Sequence, residues 1–322
     1  MAGKDQAENR PEAGLNGLSH GGVVGLARAS LLSLRPLQWT KSLLLFLPLA
    51  FSVNERWLTD ETGFPGEMLL RAVAGAVIFC ALSGTVYIVN DILDRQRDRE
   101  HPRKRFRPIA SGELPLAAAK SISLLLMGLS LAGAFLLAWE FGTICVGFVV
   151  MNLGYSLMLK RIIILDVMMV SAGYLLRVVA GALVIDVTVS PWLYTTIGLG
   201  ALFIALGKRY SELSSAGNKA HLQRSVLGQY SREFLSQLLS IASTSTLVAY
   251  ALYTFTASNV PENQSMMLTA PFVVFGVFRY LYLVNHTNEA ESPETVIIRD
   301  KPLVADILLW AAVAIAILAV NR

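Results

Sequence analysis

Long apolar blocks, separated by short polar connections, make up most of this chain. They fall at roughly 38–54, 68–92, 115–138, 142–159, 163–184, 190–210, 233–257, 266–285 and 302–320. Each runs about 17–25 residues, which at ~1.5 Å per residue matches a hydrocarbon core of ~30 Å. The two-residue alternation of a membrane β-barrel is absent. The pattern predicts an all-α integral membrane protein with nine transmembrane helices. The first block is the weakest, being short and interrupted by Pro48. Residues 22–34 read as an amphipathic helix lying at the surface before it. Residues 1–21 are polar and read as a disordered cytoplasmic tail, without a signal-peptide pattern. Residues 22–322 then form a single transmembrane domain, with no tandem repeat or second soluble domain.

Charge orients this array. The connections after the second, fourth, sixth and eighth blocks carry RQRDREHPRKRFR, KR, GKRYSEL with Lys219 and Arg224, and ESPETVIIRDK. The connections after the first, third, fifth and seventh blocks carry Arg56 as their only interior cation. The Lys/Arg excess places the N-terminus and the basic connections in the cytoplasm of a multi-pass plasma (inner) membrane protein. Composition agrees: 54% of residues are hydrophobic and 16% charged, against about 25% charged in a soluble domain. Topology also accounts for the net charge of +4, so no nucleic-acid partner is implied. Cys80 and Cys145 lie in different apolar blocks, and four scattered histidines show no ligand spacing.

The polar chemistry concentrates at the end of the second block, in NDILDRQRDREHPRKRFRP. Asp91, Asp94 and Asp98 are spaced i, i+3, i+7 and share one helix face, with Asn90 beside them. Carboxylates with an amide carbonyl are hard ligands suited to Mg²⁺, which takes its other ligands from water and phosphate oxygens. Two readings stand side by side: half of a Mg²⁺–diphosphate site, and a solvated helix end paired with its own arginines. Arg103, Lys104, Arg105 and Arg107 follow closely. Cations recur at other ends on the same side: Arg35 and Lys41, Lys160 and Arg161, Lys208 and Arg209. If these ends converge, they bind a ligand with several phosphates.

The run N-D-x-x-D-x-x-x-D, followed by a basic stretch and R-P-I-A-S-G, resembles the first aspartate motif of the UbiA superfamily of intramembrane transferases. The resemblance implies a nine-helix UbiA-like bundle with an active-site cavity facing the cytosol. It also implies a motif that holds Mg²⁺ on a diphosphate. This chain departs from the common pattern after the sixth block. Where typical members carry a second aspartate motif, it has GKRYSEL. The combination of LRPLQWTK, the first motif and GKRYSEL is similar to one branch of the superfamily. That branch moves 5-phosphoribose from phosphoribosyl pyrophosphate (PRPP) to a polyprenyl phosphate such as decaprenyl phosphate, for cell-wall arabinan synthesis. The implied residue roles are Asp91, Asp94 and Asp98 on Mg²⁺ and the departing diphosphate, and cations on the 5-phosphate.

Charges inside the membrane need a reason, costing roughly 2.5–3.5 kcal/mol at a helix centre. Asp166 and Arg177, eleven residues apart, share a face of the fifth block. They read as cavity-wall residues: Asp166 ligating a second metal or orienting a cation, Arg177 meeting a phosphate. The alternative for Arg177 is a structural pair with a neighbouring helix. Tyr155 resembles a superfamily site tyrosine, and Tyr210 is a similar candidate; both also suit an interfacial anchor. Arg279 reads as a snorkelling residue or a partner of Glu289 or Glu291. Two other activities compete: prenyl transfer from a polyprenyl diphosphate to an aromatic acceptor, and transport of a phosphorylated lipid. The sequence leaves open whether the chain forms a homo-oligomer.

Overall fold

The structure is a computed structural model that describes residues 22–52, 65–102, 104–216, 225–286 and 299–320. The predicted tail, Arg56, Arg103, Lys219, Arg224, Glu289, Glu291 and Glu294 lie outside the described residues. The described residues are helical, with no strand among them. A short helix α1 (Val23–Ser33) precedes a 3-10 segment (Pro36–Phe46) and the short α2 (Leu47–Phe51). The long α3 (Pro65–Leu93) is followed by the small helices α4 (Arg95–Glu100) and α5 (Pro108–Ser111). Then come α6 (Leu116–Leu137), α7 (Trp139–Leu157), α8 (Leu165–Val184), α9 (Pro191–Ala216), α10 (Arg232–Thr256), α11 (Ala270–His286) and α12 (Lys301–Val320).

Eight of the nine apolar blocks are therefore long helices at the predicted places. Among the described residues, seven helical stretches are long and apolar enough to cross a membrane; α9 packs with them between α8 and α10. The first block differs. It is an irregular 3-10 run and a five-residue helix, not a regular span. Pro36 and Pro48 remove backbone donors there, and the run wedges between α3 and α8. Its Leu45 is fully buried. A side chain on Gly181 of α8 would collide with the Leu45 backbone, so this wedge needs a glycine at the contact.

Neighbouring helices pack in chain order: α3 on α6, then α6 on α7, α7 on α8, α8 on α9 and α9 on α10. The chain closes through α11 and α12, and α12 touches α2. One apolar core joins Phe79 and Leu82 of α3 to Phe141 and Phe148 of α7 and Val184 of α8. A second joins α8, α9, α10 and α11 around Val167, Phe203, Leu239 and Tyr280. Helix α1 buries Ala29 beside Ile88 of α3 and Ile109 of α5, while Val24, Leu31 and Leu32 stay exposed. That split suits a helix lying in a membrane interface. Because the long helices alternate in direction, one end of the bundle collects the C-termini of α3, α7 and α9 and the N-termini of α8 and α10. Among the described residues, the candidate aspartates lie there.

Candidate active site

The apolar run of α3 stops at Leu93, and Asp94 turns the chain into α4. The three aspartates thus straddle a helix junction, though Asp94 N–H still donates to the Asn90 carbonyl and Asp98 N–H to that of Asp94, each at 2.9 Å. Asp91 and Asp98 are buried, at 3% and 4% exposure. Buried carboxylates need partners, and three elements supply them. Arg107, at the start of α5, sets Nη1 between the two, 3.1 Å from Asp91 Oδ1 and 2.7 Å from Asp98 Oδ2. Arg35 Nη2, from the chain before the 3-10 run, lies 2.5 Å from Asp91 Oδ1. Lys160, just beyond α7, places Nζ 2.9 and 3.0 Å from the two oxygens of Asp94. Ser156 of α7 donates to the side-chain amide oxygen of Asn90, Oδ1.

The basic stretch is split by this geometry. Arg95 and Arg99 donate to the carbonyls of Ile109 and Ala110 and hold α5 against α4. Arg107 is turned inward by that packing. Arg105 stacks on the exposed ring of Phe106, 4.8 Å from its centroid, and is not brought to the carboxylates. Lys104 is half-buried, its backbone N–H on His101.

A second polar cluster lies alongside. Asp166, at the start of α8, is fully buried. Its Oδ2 accepts from Arg209 Nε at 2.7 Å and its Oδ1 from the Tyr230 hydroxyl at 2.7 Å. Arg209 Nη1 also reaches Glu212 at 2.7 Å. Protein donors thus meet both oxygens of Asp166. Arg209 is 3% exposed and held between two carboxylates. Through those two pairs it ties the start of α8 to the end of α9. Tyr155 lies within electrostatic reach of Arg209. Tyr210 packs into the apolar core of α8–α11, away from the carboxylates. Lys208 is half-buried beside these groups in sequence.

Lys41 Nζ lies 5.5 Å from the Tyr174 ring centre, and the Arg35 guanidinium that meets Asp91 lies 4.8 Å from that of Tyr87. Below them Arg177 is 5% exposed, wedged between Phe79 and Phe148 at 5.3 and 5.0 Å. It donates to the Gly173 carbonyl at 2.6 Å and to Ser83 at 3.2 Å, and its Nε has no partner. Neutral groups and ring faces are the protein's own partners for this cation. Arg279 pairs bidentately with Asp300, at 2.8 and 3.1 Å. Sequence reasoning missed Tyr230, Ser156 and Ser83. Lone hydroxyls 64–94 residues from their partners carry no motif.

Hard oxygen donors and cations gathered at one end of an apolar helix bundle can bind and polarise a polyphosphate. Comparison with known proteins gives this arrangement a context. The profile of the UbiA prenyltransferase family matches residues 45–299. The chain is 31% identical to the decaprenyl-phosphate phosphoribosyltransferase of Mycobacterium tuberculosis (strain H37Rv), over 90% of this chain and 93% of that one. It is 32% identical to the enzyme of that name from Corynebacterium glutamicum, over 88% and 85%. Its fold is similar to that of a UbiA homolog from Archaeoglobus fulgidus solved with GPP and Mg²⁺. That likeness has a TM-score of 0.67 at 21% identity, covering 91% of this chain and 100% of the other.

Proposed function

The chain belongs to the UbiA prenyltransferase family, and from that premise we propose that it transfers 5-phosphoribose from PRPP to a polyprenyl phosphate. Decaprenyl phosphate is the acceptor named by its relatives. The observation that carries the reading is the mixed-sign mouth, in which Asp91, Asp94 and Asp98 are each matched by a cation from another part of the chain. The absence of an aspartate pair from GKRYSEL points the same way. PRPP has a diphosphate at C1 and a separate phosphate at C5, so it calls for one metal-binding face and further cationic ground.

The residues fit Mg²⁺. Asp91 and Asp98 already converge on one positively charged nitrogen, and Asn90 and Asp94 add oxygen donors. Among the described residues no group of three or more His, Cys, Asp or Glu is arranged to hold a metal. A small set of carboxylates supplemented by water and substrate phosphate is the usual Mg²⁺ arrangement. When bound, the ion neutralises the departing diphosphate.

The chain's own groups do the rest. Arg107 and Lys160 offer charge-assisted donors to phosphate oxygens at the mouth. Lys41 and Lys208 bring further positive charge for the 5-phosphate. The lipid phosphate oxygen forms a bond to C1 as the C1–diphosphate bond breaks. That oxygen is already anionic near neutral pH, so no general base is required. The buried carboxylates favour the positive charge that develops on the ribose. Rate then comes from orientation and fixed electrostatics.

The deciding assay uses detergent-purified protein with Mg²⁺, radiolabelled PRPP and decaprenyl phosphate, run beside prenyl diphosphate with 4-hydroxybenzoate. Lipid-bound label from PRPP is the expected result. Product in the second mixture alone would replace this reading with aromatic prenylation. Lys208→Ala is expected to raise the KM for PRPP more than it lowers kcat; an unchanged KM removes Lys208 from the 5-phosphate ground.

A further inference from the structure

The bend between α7 and α8 carries Lys160 and has one strained point. Ile164 has φ 71° and ψ −48°. Leu165 N–H donates back to the Ile163 carbonyl at 2.9 Å, closing a γ-turn of the rare positive-φ kind. A β-branched residue there is a steric outlier, and such strain persists only where surroundings enforce it. Packing of the side chain does not enforce it, because Ile164 is 40% exposed. Hydrogen bonds do: the Ile164 carbonyl accepts from Met168 N–H at 3.0 Å at the start of α8. Ile164 N–H donates to the Tyr230 hydroxyl at 2.8 Å, and that hydroxyl donates onward to Asp166 Oδ1 at 2.7 Å.

Tyr230 is a firm anchor. Its ring is 5% exposed and stacks on Phe234, with centroids 6.2 Å apart. Arg209 fixes Asp166 from the other side. Burial and then the bond to Asp166 hold the Tyr230 hydroxyl above the ordinary tyrosine range, so it stays a donor. The turn Leu159–Arg161, which includes Lys160, also touches the turn Ser225–Gln229 that leads to Tyr230.

We propose that Tyr230 is a positioning residue for PRPP: its hydroxyl holds the α7–α8 bend in the shape that sets Lys160 against Asp94. The inference rests on the reading that the Asp94–Lys160 face handles the diphosphate. Without the hydroxyl, Ile164 relaxes to negative φ and the bend, with Lys160, shifts. Glycine adopts positive φ without a steric cost, so Ile164→Gly removes the need for the clamp.

The test is calorimetric titration of PRPP with Mg²⁺ into the full-length protein in nanodiscs, with thermal stability followed in parallel. Tyr230→Phe keeps the ring and is expected to weaken PRPP binding about tenfold, the scale of one lost hydrogen bond at a polar site. Adding Ile164→Gly is expected to restore binding to within about threefold of wild type, which loss of general stability would not allow. In a Lys160→Ala background, Tyr230→Phe is expected to change binding less than about twofold, since coupled residues are not additive. Undiminished binding by Tyr230→Phe, failure of the glycine rescue, or a full effect without Lys160 would each overturn the proposal. Wild-type protein that binds no PRPP would overturn the functional reading beneath it, a result distinct from these.

Discussion

At the residue scale, the aspartate motif and its cations depend on one another. Asp91 and Asp98 are buried with Arg107 between them, so removing that cation takes a partner from both, leaving Arg35 on Asp91. Such a loss costs about 3–5 kcal/mol when the pair is buried; the 30% exposure of the Arg107 side chain lowers that figure here. Arg107→Leu is therefore expected to lower the melting temperature, and Arg107→Lys to recover much of it. Asp94 is half-exposed, and Lys160 meets both of its carboxylate oxygens. Asp94→Asn is expected to leave folding intact and lower turnover by roughly 100-fold or more, the scale of a lost electrostatic group in a preorganised site. Preserved turnover would remove Asp94 from the diphosphate face. Arg177 poses the opposite case. It is buried with neutral partners and one orphaned N–H, so Arg177→Met is expected to hold or raise the melting temperature. A clear fall would show that the ring faces of Phe79 and Phe148 stabilise the cation strongly.

At the element scale, the irregular wedge matters most. The Pro36–Phe46 run carries Arg35 and Lys41 into the bundle between α3 and α8. Its seat depends on Gly181, where any side chain meets the Leu45 backbone. Gly181→Val is expected to destabilise by about 1–3 kcal/mol through overpacking and to raise the KM for PRPP by displacing Lys41. A thermal melt with paired kinetics checks both. Gly207 has a parallel role: the Tyr280 ring of α11 packs on it and its hydroxyl donates to the Ile204 carbonyl. The glycine of GKRY thus serves helix packing, while the lysine and arginine beside it serve charge. Arg279 of α11 pairs with Asp300 just before α12, whose carboxylate also receives the Leu303 N–H. The Arg279 hydrogen bond holds Asp300 below its ordinary value of 3.8. This stabilisation is complete above that value and is lost as pH falls through the lowered folded value. Between about pH 5 and pH 3, melting temperature is expected to fall more in wild type than in Asp300→Asn.

At the scale of the whole molecule, charge asymmetry describes the protein. Among the described residues, every Lys or Arg except Arg71 and the buried Arg177 lies at the end that holds the aspartates. That bias predicts that the site end faces the cytoplasm. Single cysteines at Ser111 and Asn263, introduced after replacing Cys80 and Cys145, test it. In intact cells an impermeant maleimide is expected to label the Asn263 position and spare the Ser111 position; the reverse pattern would turn the protein over.

Hydrophobic block length and spacing alone determined that this chain is an α-helical membrane protein, because a hydrocarbon core admits few other backbones. Eight helices and the junction at Asp94 lie where the apolar runs begin and end. The acidic and basic residues of the mouth were legible too, since charge at a membrane helix end is rare enough to stand out. Tertiary structure alone decided which cation meets which carboxylate. Arg107 turns in while Arg105 turns out, and Arg209 braces Asp166. A tyrosine hydroxyl 66 residues away clamps Ile164. These choices depend on how helices lean together and on single hydrogen bonds across distant segments, and neither leaves a periodic trace in a linear chain.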